Sequence, residues 1–576
     1  MKNIIGNENG GHLNKTASCV SEDNRVLRLF INGKAQDGLA YITYLTENNR
    51  YGDFAKAGYR LFSFPVFFGY NHLNENSGLY VFTKGIFDGD IPDFSVFDAD
   101  VAKILKACPD AFLLPRVNVS PSENWEKAHP DELCNSTSGK KSGRFSFASD
   151  IWTEEVKKEL ALFIEHVENS EYASHIAGYQ IAGGNTEEWL AHVPDGISGK
   201  RAEEKYSEYL RSHSCGENKT SFYRFYSELV AGRICEFASE VKRLTENRLA
   251  VGSFYGYTFE CPDRTSGHHA LRRLLECKDI DFVCSPISYS MGRQVGRDHP
   301  YMIPLGSVKL HGKLYFSEND TRTHLSLPVN NTPHYTSPIW FGPDEATSCE
   351  VIKMHAARAL INGHSAWWFD MWGGWFADER YMKLLEKLRQ IFEQSRSLPM
   401  GGVSNVAVFV DEEAYANLDD ISVSGKVCGF IREALGKMGA PYDLYLASDA
   451  ERVIGGYSAV IALVPARTPY IEKLSDMTRS LKIAYLEITD KNSGISTGEL
   501  REFLKKGNVH LWCRNDAVIY ANESYLFLHT AENAVYELET PEKENLLDVI
   551  TGELFVSGRK IERGKSFLLR RLKNSN

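Results

Sequence analysis

The chain carries no apolar run long enough to cross a bilayer, so no membrane-spanning helix is expected. Residues 1–19 lack the uninterrupted apolar core of a secretory signal, and a cytoplasmic location is the expectation that follows. Cysteine is present but unpaired in pattern: 11 residues fall singly at positions 19, 108, 134, 215, 235, 261, 277, 284, 349, 428 and 513, with no C-x-x-C spacing. That scatter and the odd total argue against a zinc cluster and a disulfide framework, and read as buried thiols in a reducing compartment. No metal and no cofactor is expected. Dense Lys/Arg runs are also missing. With 65 Lys+Arg against 76 Asp+Glu the net charge is -11, which disfavours nucleic acid or an anionic membrane as a partner. Tandem repeats and low-complexity tracts are lacking, which argues against a solenoid.

What is there is the composition of an ordinary globular protein, 43% hydrophobic and 24% charged. A chain of 576 residues is too long for one core, and two or three domains are expected if one is a barrel. After a polar start to about residue 25, short runs rich in β-branched and aromatic residues alternate with segments of helical period. Eight such runs occupy residues 38–44, 60–69, 111–120, 176–184, 249–257, 280–289, 313–320 and 365–373. Eight strands are enough to close a (β/α)8, or TIM, barrel. Helices are expected between them, over 153–166, 221–244 and 350–361. In the first of these Val156, Leu160, Leu162 and Ile164 lie on or near one side, and Asp150 is its expected N-cap. A helix over 378–395 then seals the barrel.

Leu398, Pro399, Gly401 and Gly402 read as a linker, so the barrel is assigned to residues 1–400. Residues 403–514 again alternate β and α, the pattern of a small open parallel sheet of the flavodoxin or amidotransferase kind. From 515 to 576 helical period disappears and short runs separated by turn residues predict an antiparallel β-sandwich.

In such a barrel the chemistry sits at the C-terminal ends of the strands. Strand four ends in GYQIAGGNTEEWL, where Asn185, Glu187, Glu188 and Trp189 follow a Gly183–Gly184 pair. Strand seven ends in YFSENDTRTH, with Glu318 almost at its last position. Strands four and seven face each other across a barrel mouth, where two carboxylates can converge to the separation of about 5–5.5 Å at which one attacks an anomeric carbon and the other protonates the leaving oxygen. Glu318, with Arg322, Thr323, Ser288 and Tyr289 expected as neighbours, suits the ionised nucleophile. Glu188, beside Trp189, suits the group that keeps its proton, with Glu187 as the alternative. The bland alternative is an Asn-Asp-Thr-Arg loop held together by its own hydrogen bonds. Other strand ends supply Arg116, Asn118, Tyr255, Tyr257, Trp367, Trp368, Asp370, Trp372 and Trp375, the mixture of aromatic faces and polar groups that makes a sugar pocket. Strand alternation implies that Trp367 and Trp368 do not both reach a ligand.

With these residues in place the sequence resembles the clan A glycoside hydrolases, in particular family 42 β-galactosidases. The resemblance spans nearly the whole chain. It is carried by GSFYGY (Gly252, Phe254, Tyr255, Tyr257), SPISY (Pro286, Ser288, Tyr289), KLYFSENDTRT (residues 313–323) and WWFDMWGGW (367–375). Downstream, DLYLASD (443–449) and VHLWCRNDAVIYANESYLFLH (509–529) resemble the family's trimerisation domain and terminal β-domain. The resemblance implies retention of configuration, with Glu318 as nucleophile and the acid/base after strand four, and a homo-oligomer, a trimer in that family. It also implies a small oligosaccharide or glycoside as substrate, with Arg116, Asn185, Tyr255, Tyr257, Tyr289, Arg322, Trp368, Asp370, Trp372 and Trp375 as candidate binding residues. β-Galactosides come first, β-mannosides and β-glucosides next; a degenerate carbohydrate-binding barrel is the non-enzymatic alternative. Transglycosylation or phosphorolysis would use the same carboxylates, the latter with a basic pair for which Arg293 and Arg297 are candidates. Two departures from the family pattern stand out. The clan's usual strand-four ending is Asn followed directly by the catalytic Glu, whereas Thr186 here separates Asn185 from Glu187. The clustered cysteines that bind zinc in some members are missing. The middle segment shows no G-x-C-x-G nucleophile elbow, and Cys428 falls in a helical stretch, so amidotransferase chemistry is not expected.

Overall fold

The computed structural model describes residues 15–71, 84–135, 141–191, 198–261, 263–289, 293–326 and 344–572. The segment read above as a polar lead-in is instead a three-stranded antiparallel sheet of β1 (Ser18–Asp23), β2 (Val26–Ile31) and β3 (Lys34–Ala35). Its turns explain it. Asn24 and Arg25 both take positive φ, as do Asn32 and Gly33, the two-residue geometry whose twist matches that of paired strands. The sheet closes the lower end of the barrel: Ser18 Oγ donates to the carbonyl of Ala177 (2.5 Å) and accepts from the Ala250 N–H (2.7 Å).

Eight parallel strands follow and close into a barrel: β4 (Leu39–Ile42), β5 (Leu61–Phe67), β6 (Phe112–Asn118), β9 (Gly178–Ala182), β10 (Ala250–Phe254), β11 (Phe282–Pro286), β12 (Leu314–Asn319) and β13 (Ser365–Phe369). Each lies within one of the eight expected runs. Between β6 and β9 the chain inserts an antiparallel ribbon of β7 (Leu133–Asn135) and β8 (Lys141–Phe145). Because barrel strands are covered on both faces, they read as nearly continuous apolar runs, which is why they stand out in the sequence.

The helix Asp150–Glu168 buries Val156, Leu160, Phe163, Ile164 and Val167, positions three or four apart. Leu162 does not belong to that face and is 46% exposed. Its N-cap is Ser149, whose hydroxyl accepts from the Trp152 N–H, while Asp150 lies in the first turn and pairs with Arg233 (2.7 Å).

Beyond the barrel, β14 (Val406–Val410), β15 (Asp443–Leu446), β16 (Ala459–Leu463) and β17 (Ala484–Ile488) form a parallel sheet in the order β15-β14-β16-β17, the flavodoxin-like order at its near edge. The chain ends in antiparallel structure. β18 (Ala517–Ala521), β19 (Tyr525–Thr530), β21 (Asn545–Asp548) and β23 (Ser566–Leu572) make a four-stranded sheet, and β20 (Ala534–Tyr536) pairs with β22 (Arg559–Ile561). Polar contacts join these parts. The fully buried Arg432 donates to the carbonyls of Tyr301 (2.6 Å) and Phe259 (3.0 Å), and His529 Nε2 accepts from the Gly296 N–H (2.6 Å). Among the described residues no helix is long and apolar enough to cross a membrane.

Candidate active site

Side chains alternate along β12, and Glu318 shares the inward phase with Phe316. The register pairs Glu318 with Trp367 on β13, whose indole stacks on Phe316 at a centroid distance of 5.2 Å. Glu318 Oε2 accepts from Arg116 Nη2 (2.7 Å) and from Trp367 Nε1 (3.1 Å). Both donors converge on one oxygen, and Oε1 receives no hydrogen bond among the described residues. Arg116 comes from β6 across the barrel. Its guanidinium lies 4.6 Å from the Phe254 ring, 5.3 Å from Trp367 and 5.5 Å from Phe369. A cation placed so far from water is stable only with counterions. Burial works against its charge, but Glu318, then Tyr44 and Glu187, offset that and hold the guanidinium more firmly protonated than usual.

The second counterion arrives from β9. The chain after Ala182 folds back on itself, with the Trp189 N–H donating to the Gly183 carbonyl (2.7 Å) and the Asn185 N–H to that of Leu190 (2.8 Å). Thr186, Glu187 and Trp189 take φ of 53°, 69° and 61°, a left-handed conformation unfavourable for residues with a Cβ. The strain is held by the Trp189 ring, buried beside Phe147 and Phe237, whose Nε1 donates to Ser253 Oγ (2.8 Å). Gly184 is obligatory here, since a Cβ would lie 2.5 Å from the Leu190 carbonyl oxygen. Strain of this kind concentrates at functional sites.

The folded-back loop brings both glutamates to the mouth with different partners. Glu187 Oε2 accepts from the Tyr44 hydroxyl and from Arg116 Nη1 (3.4 Å), so Glu187 and Glu318 share one guanidinium. Glu188 forms no ion pair among the described residues. It accepts from Thr186 Oγ1 (2.5 Å) and Tyr257 Oη (2.8 Å). Burial raises all three carboxyls. For Glu318 the Arg116 charge is the main opposing influence. Glu187 is pushed up to about 7 by burial against the pull of Arg116. Glu188 is pushed up to about 7 by burial and, next, by the negative charge of Glu318. Two carboxyls near neutrality beside one held by an arginine can exchange a proton and supply a nucleophile in the same space.

Several candidates take other places. Trp368 points out of the barrel, where Nε1 donates to Tyr59 Oη (3.0 Å) and the ring meets Phe376; the inward indole is Trp367, one residue away in phase. Tyr255 is likewise outward, its hydroxyl donating to the carbonyls of Ser227 (3.0 Å) and Gly267 (2.8 Å). Arg322 stacks over Trp375 at 5.9 Å and is not the donor to Glu318. Ser288 donates to Glu260 (2.6 Å), so it does not serve Glu318 either. Tyr289 donates to Asp320 (3.3 Å), and its phenol is pushed up by burial, by Asp320 and, further off, by Glu188 and Glu318. Asp370 is an anchor for the following loop, accepting from Tyr41 (2.8 Å) and from the N–H groups of Gly374 (3.0 Å) and Trp375 (2.7 Å). Trp372 lies 5.9 Å from the Tyr44 ring. Asn118 Oδ1 caps the Ser120 N–H (3.0 Å). The basic pair is committed elsewhere: Arg293 to Asp320 and the Ile287 carbonyl, Arg297 beside Glu433 at 3.8 Å. Asn185 Oδ1, Glu187 Oε1 and Trp375 Nε1 are buried and without a hydrogen bond among the described residues, which is unusual unless a ligand or water completes them. Tyr44 was not singled out in the sequence. It directly follows Thr43 at the end of the first barrel run, and that strand-end position is the signal that could have found it. Among the described residues no group of three His, Cys, Asp or Glu side chains is placed to hold a metal ion.

No protein-family model and no curated protein matches the chain in sequence. In structure it is similar to a β-galactosidase from Bacillus circulans sp. alkalophilus, with a TM-score of 0.61 and 12% identity over 92% of this chain and 98% of that one. A catalytic mutant of a GH42 β-galactosidase from G. stearothermophilus superposes with a TM-score of 0.58 and 10% identity over 93% of this chain and 98% of that one. The likeness is one of fold, and it extends over barrel, open sheet and terminal β-structure alike. The chain thus has the architecture of the family 42 β-galactosidases.

Proposed function

We propose that the protein is a retaining exo-β-glycosidase, with Glu318 as nucleophile and Glu188 as acid/base, acting first of all on terminal β-galactosides. The observation that carries this reading is the unequal treatment of carboxyls that share one mouth. Among the described residues Glu318 is tied to Arg116 through Oε2 with Oε1 open, while Glu188 pairs with no cation and is raised to about 7 by burial and by the Glu318 charge. In the first step Glu318 Oε1 attacks the anomeric carbon as Glu188 gives its proton to the departing glycosidic oxygen. The glycosyl ester that forms on Glu318 carries no charge. Glu188, deprotonated by the first step and no longer facing a negative Glu318, is stable as a carboxylate and takes a proton from water, which attacks the same carbon and frees Glu318. The orphaned groups of Asn185, Glu187 and Trp375 are suited to sugar hydroxyls. Neither step requires a metal or a cofactor. The oligomer, a trimer by resemblance, and the division at 400 and 515 belong to this same reading.

Hydrolysis of 4-nitrophenyl β-D-galactoside, mannoside, glucoside, fucoside and glucuronide by wild type, Glu187→Gln and Glu188→Gln tests it. Turnover of one glycoside that collapses in Glu188→Gln and returns with azide is the expected result. Collapse and azide rescue in Glu187→Gln alone transfers the acid/base role to that residue. Silence of the wild type on these glycosides and on natural disaccharides removes the enzyme reading in favour of a carbohydrate-binding barrel.

A further inference from the structure

A cavity of about 530 Å³ lies away from the barrel mouth, where the barrel, the open sheet and the terminal sheet meet. Its walls come from helix Leu305–Leu310, the end of helix Glu345–Asn362, β15 and β18, and it shares none of the carboxylates described above. Five tyrosines line it: Tyr301, Tyr442, Tyr445, Tyr457 and Tyr520. Two of them form a relay to an acid, with the Tyr445 and Tyr457 hydroxyls 2.7 Å apart and Tyr457 Oη donating to Asp443 Oδ2 (2.8 Å). Opposite in charge is Lys309, whose Nζ donates to the Asn362 carbonyl (2.8 Å), one of its three N–H bonds. Lys309 and Asp443 feel each other's charge but close no ion pair among the described residues. Of the remaining ionic groups, Asp298 accepts from the Tyr520 hydroxyl (2.5 Å), and Arg358 donates from its two Nη atoms to Ser317 (3.2 Å) and the His299 carbonyl, with its Nε without a hydrogen bond among the described residues.

The chemistry selects a ligand class. An anion would meet Asp443 and a cation would meet Lys309, so a neutral molecule is favoured. It needs hydroxyls that donate to Asp443 and accept from Lys309, and an apolar face to set against tyrosine rings. The volume is within the usual range of about 300–1,000 Å³ for small-molecule sites. We propose that this cavity is a second saccharide site, taking a neutral mono- or disaccharide independently of the barrel mouth. A ligand there touches three parts of the molecule at once, so its binding stabilises their packing by mass action.

The test uses the full chain carrying Glu318→Gln, titrated calorimetrically with D-galactose, D-glucose, D-mannose and lactose, with thermal unfolding and crystal soaks alongside. The expected result is sugar density in the cavity as well as at the mouth, and two classes of binding event. Asp443→Asn and Tyr445→Ala, each added singly, are expected to weaken one class at least tenfold and to reduce the sugar-dependent rise in melting temperature. The same substitutions in otherwise wild-type protein leave glycoside turnover unchanged. Density and heat confined to the mouth, or tighter binding of inorganic phosphate than of any neutral sugar, overturn the inference. Cavity binding without turnover of any glycoside keeps the inference and removes the glycosidase reading. Turnover without cavity binding does the reverse.

Discussion

Two parallel sheets in this chain place carboxylates at the same topological position and use them differently. Glu318 is the penultimate residue of β12 in the closed barrel, and Glu412 follows β14 of the open sheet. Glu412 accepts the Leu271 N–H on one oxygen (2.6 Å) and the Arg272 N–H on the other (3.1 Å), so both oxygens are occupied by backbone and the open sheet is fastened to the barrel. Among the described residues Glu318 receives only side-chain donors, both on Oε2, and keeps its other oxygen open. The strand end supplies a location in both cases. On the proposed reading, the carboxylate with fixed amides on both oxygens is a bolt and the one with side-chain donors on a single oxygen is the reactive group.

The most severe break in this comparison is Glu318→Gln, which keeps the shape and removes the charge. Turnover is expected to fall more than ~10³-fold, about 4 kcal/mol of barrier, with cooperative unfolding retained. Wild-type-like turnover of the purified variant removes Glu318 from the mechanism. Arg116→Leu, which strips Glu318 and Glu187 of their shared cation, is expected to cost about 3–5 kcal/mol in chemical denaturation. Both carboxyls then have raised values in the folded protein, so the folded state competes best when they are protonated. The deficit should therefore be smallest at acid pH and grow as pH rises through 7 and beyond. A pH-independent deficit shows that Arg116 acts through packing instead.

For the wild type, kcat/KM should decline as pH rises through about 7, where Glu188 loses the proton that the proposed mechanism has it donate. Tyr257→Phe removes a hydroxyl that favours the ionised form of Glu188, so this alkaline limb should move upward by less than about one unit. A downward move contradicts the assignment. The mildest change concerns the bolt. Glu412→Ala frees two N–H groups at the start of helix Leu271–Glu276 and is expected to cost about 0.5–2 kcal/mol of stability while altering turnover less than twofold. A large loss of turnover would mean that the open sheet orders the barrel mouth.

The barrel strands were legible because each is a compact apolar run, and the carboxylates were legible because they lie near the C-terminal ends of such runs. The phase within a run was harder to read. Trp367 and Trp368 are neighbours of identical type, and only the register with β12 selects Trp367 as the one that faces Glu318. The opening sheet carried a local signal, Asn32–Gly33, that a reading for barrel strands passes over. The loop from Gly183 to Leu190 carried almost none, since nothing in Thr186, Glu187 or Trp189 favours left-handed backbone; the buried Trp189 ring holds it there.

By itself, then, the sequence determined the eight strands, the open and terminal sheets, and the three glutamates in or just beyond strands four and seven, because period, turn chemistry and apolar runs are properties of short segments. Tertiary structure alone decided that Arg116, rather than Arg322, holds Glu318, that Glu187 shares that guanidinium, and that Glu188 is held by the Thr186 and Tyr257 hydroxyls. Those pairings join residues far apart in the chain, and they exist only once barrel closure has brought them together in a buried space where an unpaired charge is costly.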